Sequence, residues 1–169
     1  MQSTGTIITL GLILLLSTCR KQEPHSPVPE IAFKAFYLKD STDPLGNSGL
    51  LGSLVFSFID GDGDLGFNPE DTVLVGDTLG FNLFFTLWYM DHGVLTVAGE
   101  DDVKTPLSYR IPYLDRGRSD QVLSGEIQVD FFYLLFPFDT IAYDFYIMDR
   151  AGNQSNTEST PLIVLNIPQ

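Results

Sequence analysis

The segment TIAYDFYIMD, Thr140–Asp149, alternates with a period of two. Ile141, Tyr143, Phe145 and Ile147 fall on one side, and Ala142, Asp144, Tyr146 and Met148 on the other. Successive side chains of an extended chain point to opposite faces, so the pattern predicts a strand with one face in a core. The same reading extends outward along the chain. LGSLVFSFID puts Leu54, Phe56 and Phe58 on one face, opposite Val55, Ser57 and Ile59. GFNLFFTLWYMD puts Phe81, Leu83, Phe85, Leu87 and Tyr89 together, with a mixed face of Asn82, Phe84, Thr86, Trp88 and Met90. GEIQVDFFYLLF alternates Ile127, Val129, Phe131 and Tyr133 against Gln128, Asp130 and Phe132. YMDHGVLTV reads as a hairpin through Asp91, His92 and Gly93. IAFKAFYLKD opens the series with a short apolar run that ends in the turn formers STDPLGNSG, and PLIVLNI closes it.

No segment after Cys19 holds a helical period. Thirteen Phe and seven Tyr also favour strands. Seven or eight strands with polar-out alternation carry more apolar surface than one sheet can cover. Two antiparallel sheets face to face, about 10 Å apart, cover it. The expected fold is therefore all-β, a two-sheet antiparallel sandwich without internal repeats or a second-domain linker.

The stretch YDFYIMDRAGNQSN, Tyr143–Asn156, adds detail. It resembles the last hairpin of bacterial immunoglobulin-like and cadherin-like domains, on Asp149, Gly152, Asn153 and Ser155. Gly152 and Asn153 tolerate positive φ, and Asp149 can accept bonds from the amides of its own turn. The resemblance implies an immunoglobulin-like sandwich over residues 31–169, and no particular activity.

The strand LVFSF runs directly into DGDGD, so Asp60, Asp62 and Asp64 leave the sheet at a strand end. Alternate aspartates on a glycine-rich backbone can converge on one hard cation, which takes six to eight oxygens. The spacing to Asp71 resembles the acid order of calcium-loop families, including EF-hand and dockerin loops. That resemblance implies a structural Ca²⁺ held by Asp60, Asp62, Asp64 and Asp71. Leu65 stands where those loops have glycine, with Gly66 one residue late, and Asp71 stands where they have glutamate, beside Glu70. The flanks read as strands, so a helix–loop–helix is excluded. The competing reading is a turn with solvated carboxylates. If the three carboxylates converge, either a cation or a raised pKa is expected. Glu100, Asp101 and Asp102 form a second acidic cluster, read as a solvated turn.

The amino end concerns location. TIITLGLILLLSTC is apolar from Ile7 to Leu16 and too short for a mature bilayer span, but it suits an export signal. LSTC resembles the bacterial lipoprotein box. That implies cleavage after residue 18 and lipidation of Cys19, the chain's single cysteine. Thr18 is larger than usual for the box, and no Lys or Arg precedes the apolar run. With one cysteine an intrachain disulfide is excluded, and acylation would cap a thiol that is a liability in an oxidising compartment. Residues 19–30 carry three prolines and read as a tether. Arg20 in place of Asp removes the family's inner-membrane retention signal, so the expected location is the outer membrane, anchored by lipid.

Formal charge is −13, from 22 acidic and 9 basic residues. Such a surface repels phosphate backbones and excludes nucleic acid as a partner. Catalytic patterns are weak. His25 lies in the tether and His92 in a turn, no G-x-S-x-G or P-loop is present, and nothing selects a glycosidase pair among the acids. Trp88, Tyr89, Tyr109 and Tyr113 could stack on sugars or on a protein partner, although strand aromatics more often serve a core. The expected function is a non-enzymatic, lipid-anchored envelope protein acting as an interaction or structural module. The alternatives are a carbohydrate-binding accessory lipoprotein using Trp88 and Tyr89, and a glycoside hydrolase.

Overall fold

The computed structural model describes residues 25–68, 74–75, 78–99, 107–114, 122–134 and 136–166. The apolar stretch, Cys19, Glu70, Asp71 and the cluster at 100–102 lie outside them. Among the described residues the regular structure is strand throughout. The strands are β1 (Glu30–Thr42), β2 (Ser48–Asp60), β3 (Leu74–Val75), β4 (Thr78–Leu79), β5 (Leu83–Asp91), β6 (Val94–Val97), β7 (Ser108–Tyr109), β8 (Leu123–Tyr133), β9 (Thr140–Ile147), β10 (Glu158–Ser159) and β11 (Ile163–Val164).

One sheet has the order β1-β2-β8. The other has the order β10-β9-β5-β6, with β7 added to β5 and β11 to β9. β3 and β4 form a separate two-stranded piece. Every strand pair is antiparallel. The two antiparallel sheets are not closed into a barrel, and the fold is a β-sandwich. The hairpin at His92 is present: β5 meets β6 in the register Asp91↔Val94, and His92 itself has φ +47°.

The alternating residues make the core. β2 contributes Leu54, Phe56 and Phe58; β5 contributes Leu83, Phe85 and Leu87; β8 contributes Val129, Phe131 and Tyr133. β9 contributes Ile141, Tyr143, Phe145 and Ile147, all 0 % exposed. Phe81, grouped with the inward residues of β5 by its parity, precedes that strand and is exposed. The Phe131 and Tyr143 rings stack at 4.8 Å, and Phe85 meets both edge-on at 5.2 and 5.8 Å. Each such pair adds roughly 0.5–1.5 kcal/mol beyond area burial. Phe56 of β2 and Phe145 of β9 meet at 5.1 Å across the sheets.

β1 does not alternate cleanly. The register with β2 shifts between Phe33 and Ala35, placing a bulge at Lys34. The bulge changes the inward parity, so Ile31 and Phe33 before it and Phe36 after it all pack on the core. The edge of β1 is capped by side chains. Asn156 accepts from the Ile31 amide (2.8 Å) and donates to the Ile31 carbonyl (2.9 Å), and Glu158 accepts from the Phe33 amide (3.0 Å). These bonds tie the edge of one sheet to the end of the other and occupy groups that would otherwise invite foreign strands.

Candidate metal centre

The inward parity of β2 continues past Phe58 to Asp60. The carboxylate therefore follows the phenylalanines into the interior and is 0 % exposed. β9 ends in the same way: Asp149 continues the inward series of Tyr143, Phe145 and Ile147, and is also 0 % exposed. The two central strands, one from each sheet, thus each lead into a buried aspartate.

Asp149 is internally satisfied. Its carboxylate accepts from the Asn153 amide (2.7 Å) and from Asn153 Nδ2 (2.8 Å), its carbonyl accepts from Gly152 (3.3 Å), and Gly152 has φ +86°. Ser155 Oγ accepts from the Ile147 amide at 3.0 Å. Asp149 and Gly152 thus take the turn roles expected of them, whereas Asn153 serves as the donor to Asp149 and not as a positive-φ residue.

Asp60 is half satisfied. Its Oδ2 accepts from the Leu65 amide at 2.9 Å, which closes the acidic loop. Its Oδ1 is buried without a hydrogen-bond partner, and so are Oδ1 of Asp62 and of Asp64. Ligand oxygens from the three residues all lie within 4.8 Å of one another. Gly63, at φ +70°, provides the curl that brings them together. Beyond the carboxylates the chain is pinned again. Leu65 and Phe67 are buried, Phe67 donates to the Ile111 carbonyl (3.1 Å), and Tyr113 donates to the Phe67 carbonyl (3.0 Å). Leu65, which departs from the calcium-loop pattern, is thus a core anchor that ends the loop.

Asp64 also bonds across to the β9 turn. Its Oδ2 accepts from the Ala151 amide (3.1 Å) and its carbonyl from Arg150 Nε (2.9 Å). The Arg150 guanidinium lies over the Tyr113 ring at 4.9 Å.

The electrostatics are unfavourable for bare carboxylates. Burial, followed by the Asp62 carboxyl and the charges of Asp62 and Asp64, pushes Asp60 up to about 7 against the pull of the Leu65 amide. Burial, then Asp149 and Asp62, raises Asp64, while Arg150 opposes them. Two carboxylates at 4.8 Å repel by about 3 kcal/mol at an effective dielectric of about 20. Three such pairs approach the whole net stability of an ordinary domain, about 5–15 kcal/mol. One charge must therefore be removed by a proton or offset by a cation.

The donor set selects the ion. It is all carboxylate oxygen, with no His or Cys in the grouping. The separations fit within the roughly 5 Å that a calcium ion spans with 2.3–2.6 Å bonds. His25 comes near the loop only through its backbone, which passes over Gly61 while the side chain stays exposed. Asp71, the fourth expected ligand, lies outside the described residues. A cavity of about 430 Å³ opens beyond Leu65 between Phe58, Ile111 and Val129, and none of the three aspartates lines it.

The expected aromatic pair divides between two faces. Trp88 points outward, where its indole nitrogen donates to Asp144 Oδ2 (2.8 Å) and Ser159 holds the other oxygen (2.5 Å). Beside it Phe84 and Tyr146 stack at 5.1 Å. Tyr89 points inward and stacks on Phe138 at 3.9 Å. Tyr109 packs against the core, edge-on to Phe85 at 5.6 Å, and Tyr113 lies under Arg150. No family model, curated protein or solved structure matches the chain.

Proposed function

We propose that the protein is a non-enzymatic, lipid-anchored module of the cell envelope whose sandwich is completed at one pole by calcium. Asp60, Asp62 and Asp64 hold the ion, which serves structure and not chemistry. The observation that carries the reading is the Asp60 carboxylate, wholly buried, with one oxygen bound to the Leu65 amide and the other without a partner, in a group with two more carboxylates within 4.8 Å. A buried ionised group lacking a counter-charge is costly, and a divalent cation removes that cost. Lipid attachment at Cys19 rests on the LSTC resemblance. Partner binding, to a protein or a glycan, is assigned to the outer face of the second sheet, where Trp88, Phe84 and Tyr146 are half-buried beside exposed Leu95 and Val97.

The test is terbium luminescence and calcium calorimetry on the full chain in detergent, beside the Asp62→Asn variant. Saturable binding that the variant weakens at least tenfold is expected; no binding at millimolar calcium would defeat the reading. Labelling with a lipid precursor, compared between the parent and Cys19→Ala, tests the anchor, and equal labelling would remove it.

A further inference from the structure

The segment just before β1 does not hang free of the acidic loop. The Gly61 amide donates to the Ser26 carbonyl at 2.9 Å. A Cβ on Gly61 would lie 2.3 Å from that oxygen and 2.4 Å from the His25 carbonyl oxygen. Glycine is needed here for space, because two backbone carbonyls rest directly on its Cα. The segment then turns on itself, with the Val28 amide bound to Ser26 Oγ (3.0 Å), and sinks at the buried Pro29 into β1.

We propose that the cation site is also a latch for residues 25–29, so that calcium occupancy decides whether the segment entering the sandwich is docked on its pole or released. The inference rests on the calcium reading of Asp60, Asp62 and Asp64. Gly61 lies between two of the ligands, so its position follows theirs. With the ion bound, the carboxylates converge and the Gly61 amide is held toward Ser26. Without it, three mutually repelling carboxylates spread, and the bond that fixes the segment goes with them. Little else would hold it: His25, Ser26, Pro27 and Val28 are all exposed, and segments with few buried groups open at low free energy. The coupling is reciprocal, so a docked segment raises calcium affinity by the factor by which calcium favours docking.

Hydrogen exchange on the full chain in detergent, with calcium and with EDTA, reads the latch in peptides covering residues 25–30 and 61–64. Terbium luminescence on the same sample reads the site. The latch predicts at least tenfold faster exchange in both peptides on chelation, with the β5 and β9 peptides unchanged. Ion binding with equal exchange at 25–30 in both conditions would overturn the latch and leave the cation site standing. Absence of ion binding would remove both. Gly61→Ala, which adds a methyl against the two carbonyls and leaves the ligands in place, is expected to bind calcium while residues 25–30 exchange fast whether or not it is bound. Slow, calcium-dependent exchange in that variant would also overturn the latch.

Discussion

Replacing Asp60 by asparagine is expected to stabilise the protein in a chelator and to abolish its stabilisation by calcium. Asparagine keeps an acceptor for the Leu65 amide and places a donor at the position of the partnerless Oδ1, beside the Asp62 and Asp64 carboxylates. It also removes the buried charge. With the carboxyl pushed up to about 7 from an ordinary 3.8, ionisation above pH 7 costs the folded state at most about 4 kcal/mol. Allowing for relaxation, a gain of about 2–3 kcal/mol is expected in EDTA at pH 8, or some 6–10 °C in Tm for a domain of this size. In calcium the gap closes and the two proteins melt at nearly the same temperature. At one hundred times Kd the parent gains about 2.7 kcal/mol, and the variant, short of its most buried ligand, moves by less than about 2 °C. Differential scanning calorimetry of both proteins in both buffers gives four values whose pattern is diagnostic. If Asp60→Asn lowers Tm equally with and without calcium, the carboxylate is only a hydrogen-bond acceptor and the charge argument fails.

Phe56→Ala removes one side of the contact between β2 and β9 and is expected to cost about 3–5 kcal/mol in urea denaturation; a cost under about 1 kcal/mol would mean the sheets do not depend on it. The hydroxyls of Tyr133 and Tyr143 meet at 3.0 Å with both residues 0 % exposed. Tyr143→Phe alone should therefore cost about 1–3 kcal/mol, and adding Tyr133→Phe should recover part of it, because a lone buried hydroxyl is worse than none; strict additivity would refute the pairing. The raised pKa of Asp60, reinforced by Asp64, also sets a pH trend for the protein in EDTA. Both groups bind protons more tightly when folded, so stability is greatest below their unfolded values and falls as pH rises through about 7. Urea midpoints from pH 5 to 8.5 measure this, and a midpoint that rises over that range would contradict it.

Much of the fold was legible because four long strands, β2, β5, β8 and β9, bury one face and expose the other, and two-residue periodicity reports that directly. β1 escaped this reading because the bulge at Lys34 puts residues of both parities inside. β3, β4, β7, β10 and β11 are two residues long, too short to show any period. The acidic loop was visible as spacing, but the burial of Asp60 and Asp149 was not drawn from it. The signal was present in the parity, since each lies two residues beyond the preceding inward-facing residue of its strand. An aspartate next to glycine invites a surface reading that the parity overrides. The docking of residues 25–29 had no local signature, because its composition is that of a tether and the contact is made through backbone carbonyls. Alternation did foretell that Trp88 and Tyr89 face opposite ways, which separates them as a single binding surface.

The pairing of β1 has a mechanical consequence. Any pull on the amino-terminal segment enters the domain at Glu30. From there β1 lies beside β2 from Glu30↔Ile59 to Thr42↔Ser48, while Asn156 and Glu158 hold its other edge. Antiparallel rungs run across the strand direction. Tension along β1, resisted at the far end of its hairpin with β2, therefore strains many rungs together in shear instead of peeling them one at a time. Shear of that kind makes forced unfolding slow, a property of the unfolding barrier and not of equilibrium stability. The strand nearest the amino-terminal segment is thus the one best arranged to withstand stretching.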